Sequence, residues 1–493
     1  MPEGWTYGRR SPPLVGTRTA TRARARDSPE PFPMTAPQPV ERLLSSRFRA
    51  LMVDTRPLRE NRPFRLVFTG QGISFLGTMF TAVLLPYQVY ELTHSSLAVG
   101  LMGLAEVVPV LATAMLGGTL ADRVDRRRMI ALCELALALV TAGLLLNALQ
   151  PEPQLWALYA AAAAMSAIEG LQRPSLDALI PQLLPPDQLS AGAALNSIRM
   201  GIGFTVAPAL AGLTIAGFGV PMAYAIDLLT FLASLWALSL FNVQPPAPDE
   251  EKLTLNSVRQ GIRYATSRRD LLGTYVIDFG AMVFGTPIAL FPQIADEFGG
   301  PGTLGLLYTA PAVGTLLVSV SSGWANRFYR RGRVIVVSAA LWGVSMACLG
   351  LAESLWVALL VLCVGGALDG VSMVFRSTMW NESIPDRYRG RLAGLELVSV
   401  STGPAIGNTE AGAVASAFNL RTSIVSGGLI AAAVTVAVAV AYPSLWRYDA
   451  RDHLADDATP PDRDGEPDLA GEPDLAGEPD LVGGPVPTSG PDS

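Results

Sequence analysis

The stretch GGTLADRVDRRRM, Gly117–Met129, closes one long apolar run and opens the next. Between them Asp122, Arg123, Asp125, Arg126, Arg127 and Arg128 crowd into a single short turn. In a soluble protein such charge is a solvated face. Here the chain on either side is apolar for the length of a membrane crossing, so the turn reads as a loop at a membrane surface.

Composition agrees with that reading. Of 493 residues, 50% are hydrophobic and 16% charged, against about 25% charged in average soluble domains. The net charge of −6 conceals segregation: thirteen arginines precede residue 66, while acidic repeats fill the tail. Basic residues beside apolar runs argue for membrane surfaces and against nucleic acid as a partner. Cys133, Cys348 and Cys363 all lie in apolar runs and read as small buried hydrophobes. The two histidines, His94 and His453, have no ligand-like neighbours, so neither a metal, a cofactor nor a catalytic triad is expected.

Twelve apolar segments are expected to cross the bilayer as helices: 66–89, 97–120, 129–149, 154–174, 190–217, 221–241, 271–293, 302–324, 333–352, 354–376, 390–414 and 422–443. Continuous apolar runs point to helices, not to the alternating strands of a barrel. Arginines concentrate after segments two, six, eight and ten, whereas ELTHSS, LQPEPQ, DEFGGPG and LAES carry none. This alternation places both termini in the cytoplasm.

The expected organisation is therefore an all-α membrane protein of two six-helix halves. Residues 1–60 form a disordered cytoplasmic extension in which Met34 is an alternative start. The first half is 61–242, a cytoplasmic linker is 243–270 and the second half is 271–446. The remainder, 447–493, is a disordered acidic tail with the repeat GEPDLA. Arg9-Arg10 is not followed by an apolar segment, which argues against a cleaved signal.

The halves echo one another. ADRVDRR at 121–127 pairs with ANRFYRR at 325–331, Glu169-Gly170 with Asp369-Gly370, and Pro186-Asp187 with Pro385-Asp386. Duplicated halves build a site at their interface near the bilayer midplane.

These motifs are those of a known family. The chain resembles the major facilitator superfamily over about residues 60–445, through Gly118-x-x-x-Asp122-Arg123-x-x-Arg126-Arg127. It departs from that pattern at Asp125, where the family has glycine. Phe64-Arg65, SFLGT at 74–78, NALQPEP at 147–153, APALAG at 207–212 and MVFGTPIALFP at 282–292 resemble the drug:proton antiporter branch, which includes enterobactin exporters and macrolide and tetracycline-type efflux proteins.

The resemblance implies a cytoplasmic latch. Asp122 would meet the start of the eleventh helix near Gly390–Leu392, where the helix dipole favours a carboxylate. Arg126 would pair with Asp177, and Gly118 would permit close helix approach. The competing reading is that these arginines only fix topology. In the second half Asn326 replaces the acid, so the latch should be asymmetric.

Ionisable residues inside the membrane each require a reason. Glu106 is the first candidate for proton coupling; the alternative is a structural ion pair with an arginine such as Arg199. Asp278 is the second, with an ion pair again the alternative. Glu169 and Asp369 follow, related by the repeat. Asp227, Arg376 and Glu410 are also intramembrane. Thr78 stands where many members of the branch carry aspartate. Gly203, Ala207, Pro208, Ala211 and Gly212 resemble the antiporter motif of exporters; ordinary small-residue packing is the plainer reading. Gln71, Gln88, Tyr87, Asn196, Arg199, Tyr275 and Phe284 are candidate cavity contacts.

The expected function is proton-coupled efflux of hydrophobic drugs or siderophore-like natural products across the plasma membrane by a monomer. The alternatives are a nutrient importer or a non-transporting sensor with the same fold. No G-x-x-x-x-G-K-[ST] is present, which argues against an ATP-driven pump, and no catalytic constellation suggests an enzyme.

Overall fold

A computed structural model describes residues 54–121, 124–241, 268–384 and 386–451. The expected extension up to residue 53, the linker and the acidic tail fall largely outside these residues, as do Asp122 and Arg123.

Every regular element among the described residues is a helix. A short α1, Arg56–Glu60, leads into α2, Arg62–Thr93. Asn61 caps α2, its side chain accepting from the Phe64 amide at 2.9 Å. Then come α3 (Ser96–Ala121), α4 (Arg126–Ala148), α5 (Leu155–Leu183) and α6 (Leu189–Ser239). The second series is α7 (Arg269–Gly285), α8 (Phe291–Phe298), α9 (Pro301–Ser321), α10 (Arg331–Leu349), α11 (Leu355–Ser383), α12 (Asp386–Ala417) and α13 (Leu420–Ala441), followed by a short α14 (Pro443–Arg447).

At 51 residues α6 would be roughly 77 Å long if straight, more than twice the ~30 Å of bilayer hydrocarbon. It breaks at Gly219, whose φ of 81° is left-handed and open to glycine at little cost. Pro221 follows and starts the return leg. The expected seventh span is also broken: α7 stops at Gly285 and a 3-10 turn at Ile288–Leu290 leads to α8. There Asn408 Oδ1 accepts from the Ala289 amide at 3.1 Å, satisfying one donor that the break releases.

Nine segments among the described residues are long and apolar enough to cross a membrane. Helices α5 and α12 are long but are not among them. A count of twelve requires adding these two and dividing α6 at Gly219.

The neighbour pattern repeats between the two series. In the first, α3 packs on α5, α4 on α5 and α6, and α2 on α6. In the second, α9 packs on α11, α10 on α11 and α13, and α7 on α12 and α13. The series meet along α3–α12 and α6–α9.

The surface is apolar in the manner of a lipid-facing belt. On α4, Leu132, Leu139 and Leu146 recur every seven residues and are 62%, 66% and 65% exposed. Cys348 corrects an expectation: it is exposed, not buried, on the outward face of α10 with Leu341 and Val344. Polar groups are found inside instead. Helices α2, α4, α7 and α10 start from one end of the bundle, here termed the arginine end for Arg62, Arg126, Arg269 and Arg331 in their first turns.

Candidate functional site

Helix α5 presents a charged face. Glu169, Arg173 and Asp177 recur every fourth residue and are all exposed, although Glu169 is at the centre of a 29-residue helix. A charge turned to hydrocarbon at helix centre costs about 2.5–3.5 kcal/mol, so this face borders the polar interior. Gly170, the next residue, turns the other way: a Cβ there would stand 2.9 Å from the Val110 carbonyl oxygen of α3. Glu106 of α3 is an electrostatic neighbour of Glu169, and the helices are tied by Ser166 Oγ donating to the Glu106 carbonyl at 2.7 Å. Across the interface, Tyr308 of α9 is an electrostatic neighbour of Glu106, and its buried hydroxyl has no partner among the described residues.

The second half mirrors this partly. Asp369 is exposed at the centre of α11 and is again followed by a buried glycine. It lies in the field of Arg376 and Asp278. Asp278 of α7 and Arg376 of α11 form a buried ion pair. Trp380 lies under the same guanidinium, 5.6 Å from ring centre to carbon. It stacks on Tyr275 at 4.7 Å and donates to Thr274 Oγ1 at 2.9 Å. Tyr275 thus serves a helix–helix joint and is 7% exposed.

Arg199 does not pair with Glu106, which corrects that alternative. Its guanidinium donates twice to Asn196 Oδ1, at 3.1 and 2.8 Å, and lies 5.7 Å above the Phe75 ring. Its electrostatic partner is Asp177. Arg199 and Asn196 border a small recess of about 10 Å³, room for about one water, between α2, α5 and α6 that also reaches Gln71. Gln88 is buried and accepts from the Tyr224 hydroxyl at 2.8 Å.

Sequence reasoning missed Glu134 of α4. It is 0% exposed and has no cationic partner among the described residues. Gln71 and Gln172 donate to Oε1 at 2.8 and 2.9 Å, and Ser74 Oγ reaches both oxygens at 3.0 and 2.9 Å. Asp227 of α6 is likewise 0% exposed and is held by Thr81, by Thr141 at 3.3 Å and by Thr230 at 3.4 Å. The available signal was Gln and Ser residues placed at apolar positions of α2 and α5.

Of the antiporter-like residues, Pro208 and Gly212 meet the other half, whereas Gly203 packs on Phe75 of α2 in its own half. Ala207 and Ala211 are fully buried. A Cβ on Gly212 would stand 2.7 Å from the Gly305 nitrogen of α9, and one on Gly203 would collide with the Phe75 ring. One turn from Pro208, Thr309 Oγ1 donates to the Thr205 carbonyl at 3.0 Å. The α3–α12 crossing is built similarly, with Thr409 Oγ1 donating to the Gly100 carbonyl at 3.0 Å, and beside it Ser96 Oγ of α3 donates to Gln293 Oε1 of α8 at 2.5 Å. Gly100, Gly212, Gly305 and Ser96 are all toward the end opposite the arginines.

In the opening turn, Asp125 caps α4, accepting from the Arg127 and Arg128 amides at 3.0 and 3.3 Å. This explains an acid where the family pattern has glycine. Arg126 donates to the Ala178 carbonyl at 3.1 Å, one residue beyond the expected Asp177. Arg127 donates to the Leu238 carbonyl at 2.7 Å and covers Phe241. Gly118 falls in the last turn of α3; the Asp122 latch itself lies outside the described residues.

The model of the family described as transmembrane secretion effectors matches residues 54–467. The chain belongs to this family. It is therefore a multi-pass transporter of the major facilitator type, not an enzyme. The enterobactin exporter EntS of Escherichia coli O1:K1 / APEC is 29% identical over 353 residues, 71% of this chain and 84% of that protein. The structure of the nucleoside transporter NupG matches with a TM-score of 0.60 at 15% identity, covering 78% of this chain and all of that one. A bacterial homologue of the iron transporter ferroportin, in an inward-facing state, matches at 0.59 and 14% identity, covering 78% and 98%. Both likenesses concern the fold. The secretion-effector relationship supports efflux of a small molecule across the inner membrane.

Proposed function

We propose that this exporter moves an amphiphilic, siderophore-like or drug-like molecule outward in exchange for protons, by alternating access between halves 61–242 and 271–446. The carrying observation is the pair Glu169 and Asp369. They occupy equivalent places in the repeat, at the centres of α5 and α11, and both are exposed. A carboxylate inside a membrane protein is a functional group by default, and two related by the repeat face one site at the half–half interface.

With the arginine end in the cytoplasm, the crossings at Ser96–Gly100 and Gly212–Gly305 seal the outer side. Substrate then enters from the cytoplasm toward Glu106, Glu169 and Asp369. A proton held on one of these carboxyls removes one negative charge from the site; its release to the inside accompanies substrate loading and rocking of the halves. Asp278 positions Arg376 beside Asp369. Asp122, Arg123 and Arg126 latch the inner side when it closes, and the small residues from Gly203 to Gly212 limit leakage when it opens. Asn196 and Arg199 border the entrance. The protein works as a monomer in the bilayer, without metal or nucleotide.

One proton crossing 100 mV supplies about 2.3 kcal/mol, sufficient for roughly a fifty-fold gradient of a neutral substrate. The enterobactin exporter named above motivates catecholate siderophores as one arm of the test. The purified protein in liposomes receives an imposed pH gradient and a panel of macrolide, tetracycline, cationic dye and catecholate siderophore. Gradient-driven accumulation of at least one is expected; accumulation equal with and without the gradient would reject proton coupling.

A further inference from the structure

Glu134 has no part in the mechanism above, yet with Asp227 it is the most completely enclosed carboxyl group among the described residues. Its surroundings are specific. From α2 it meets Gln71 and Ser74, from α5 Gln172, and from α6 Ser234 through the shared Gln71 amide at 3.1 Å. The titratable groups around it are Cys133 on its own helix and Asp227 on α6, each its electrostatic neighbour. None is a cation. An unpaired carboxylate in such a place is costly, and neutralisation by a proton is the usual way out.

The hydrogen-bond geometry accommodates both forms. As a carboxylate, Glu134 accepts from two amides and a hydroxyl. As an acid, Oε2 can donate to Ser74 Oγ at 2.9 Å, because a hydroxyl is both donor and acceptor. Two amide N–H groups aimed at Oε1 suit a proton and repel a metal cation, which would need lone pairs there. Gln71 screens the approach: its amide donates but does not relay a proton, so the side chain turns aside for one to pass. Gln71 is 5% exposed, borders the Arg199 recess and donates directly to Glu134. Ser175, fully buried and without a partner among the described residues, is three residues from Gln172 on the same side of α5.

We infer that Glu134 is a proton-binding site inside the first half, screened from the recess beside Arg199 by the Gln71 side chain and separate from the central carboxylates. It goes beyond the export reading and stands or falls without it. Protonation here changes the bonding between α2, α4 and α5 and so reports pH to the packing of the half.

The test is infrared difference spectroscopy of the full-length protein in lipid, stepped in pH, with wild type, Glu134→Gln, Gln71→Leu and Glu106→Gln. Expected is a carbonyl stretch of a protonated carboxyl that grows on acidification, vanishes in Glu134→Gln and persists in Glu106→Gln. In Gln71→Leu the same band should shift in frequency, because its carbonyl oxygen loses a donor. Should Glu134→Gln not fold, the Gln71→Leu shift decides alone. A wild-type band pattern unchanged in either Glu134→Gln or Gln71→Leu would overturn the assignment. Transport measurements with a cavity variant are unaffected by that result, so the two readings fail separately.

Discussion

Gly212 of α6 and Gly305 of α9 meet backbone to backbone, so closely that a Cβ on the first would stand 2.7 Å from the nitrogen of the second. No side chain fits between them without parting the halves. Gly212→Val should cost about 1–3 kcal/mol in the state sealed at this end, a shift of roughly five- to 150-fold in the balance of states. Labelling of a cysteine introduced at Thr309 by a membrane-impermeant reagent from the outside should rise. Unchanged labelling would mean that this crossing does not gate.

The Asp278–Arg376 pair is buried. Removing one partner leaves an uncompensated charge and costs about 3–5 kcal/mol, whereas replacing both by apolar residues of similar volume is often neutral. Arg376→Met should therefore lower the thermal midpoint markedly in detergent. Asp278→Leu combined with Arg376→Met should recover most of it, which a thermal-shift series measures directly.

The cap at Asp125 gives a graded expectation. Asp125→Ala should cost about 1 kcal/mol, while Asp125→Gly, which restores the family pattern, should cost only a few tenths. Equal losses in the two variants, by the same thermal measurement, would mean that the side chain matters for something other than capping.

Beyond α14, Arg451 bonds Asp449 and covers the Tyr329 ring at 5.3 Å, and the Ala450 amide donates to the Tyr329 carbonyl at 3.0 Å. The Arg451 side-chain bonds hold the Asp449 carboxyl down, from 3.8 to about 2. A depressed carboxyl pKa means that its contribution is fully present above the ordinary value and is lost as pH falls through the lowered one. Docking of this segment should thus persist down to about pH 4 and weaken towards about pH 2. Fluorescence of Trp446, which lies beneath Arg333, monitors it; a transition near neutral pH would contradict the assignment.

How much of this was legible in the sequence follows from where each signal resides. Segment hydropathy revealed the helices, because each apolar run is local. The repeat pointed to Glu169 and Asp369 because each precedes a glycine, Gly170 and Gly370, at the offset near 200 residues that the 121–127 and 325–331 motifs also keep. Glu134 was missed: it sits within LCELALALV, and the polar residues that signal it, Gln71, Ser74 and Gln172, are distant in the chain. Arg199 was legible as an intramembrane charge, but its choice of Asn196 over Glu106 depends on which helix faces meet. The α7 break was hidden because Thr286-Pro287 interrupts an apolar run that hydropathy treats as continuous.

The central claim is exchange of substrate for protons through the carboxylates at the middle of the bundle. Its most direct test is substrate-driven proton release from liposomes containing a pH dye, comparing wild type with Glu106→Gln, Glu169→Gln and Asp369→Asn. Release in wild type and its loss, at least ten-fold, in Glu169→Gln or Asp369→Asn is the predicted result. Proton release undiminished in all three variants, with substrate transport intact, would contradict the account.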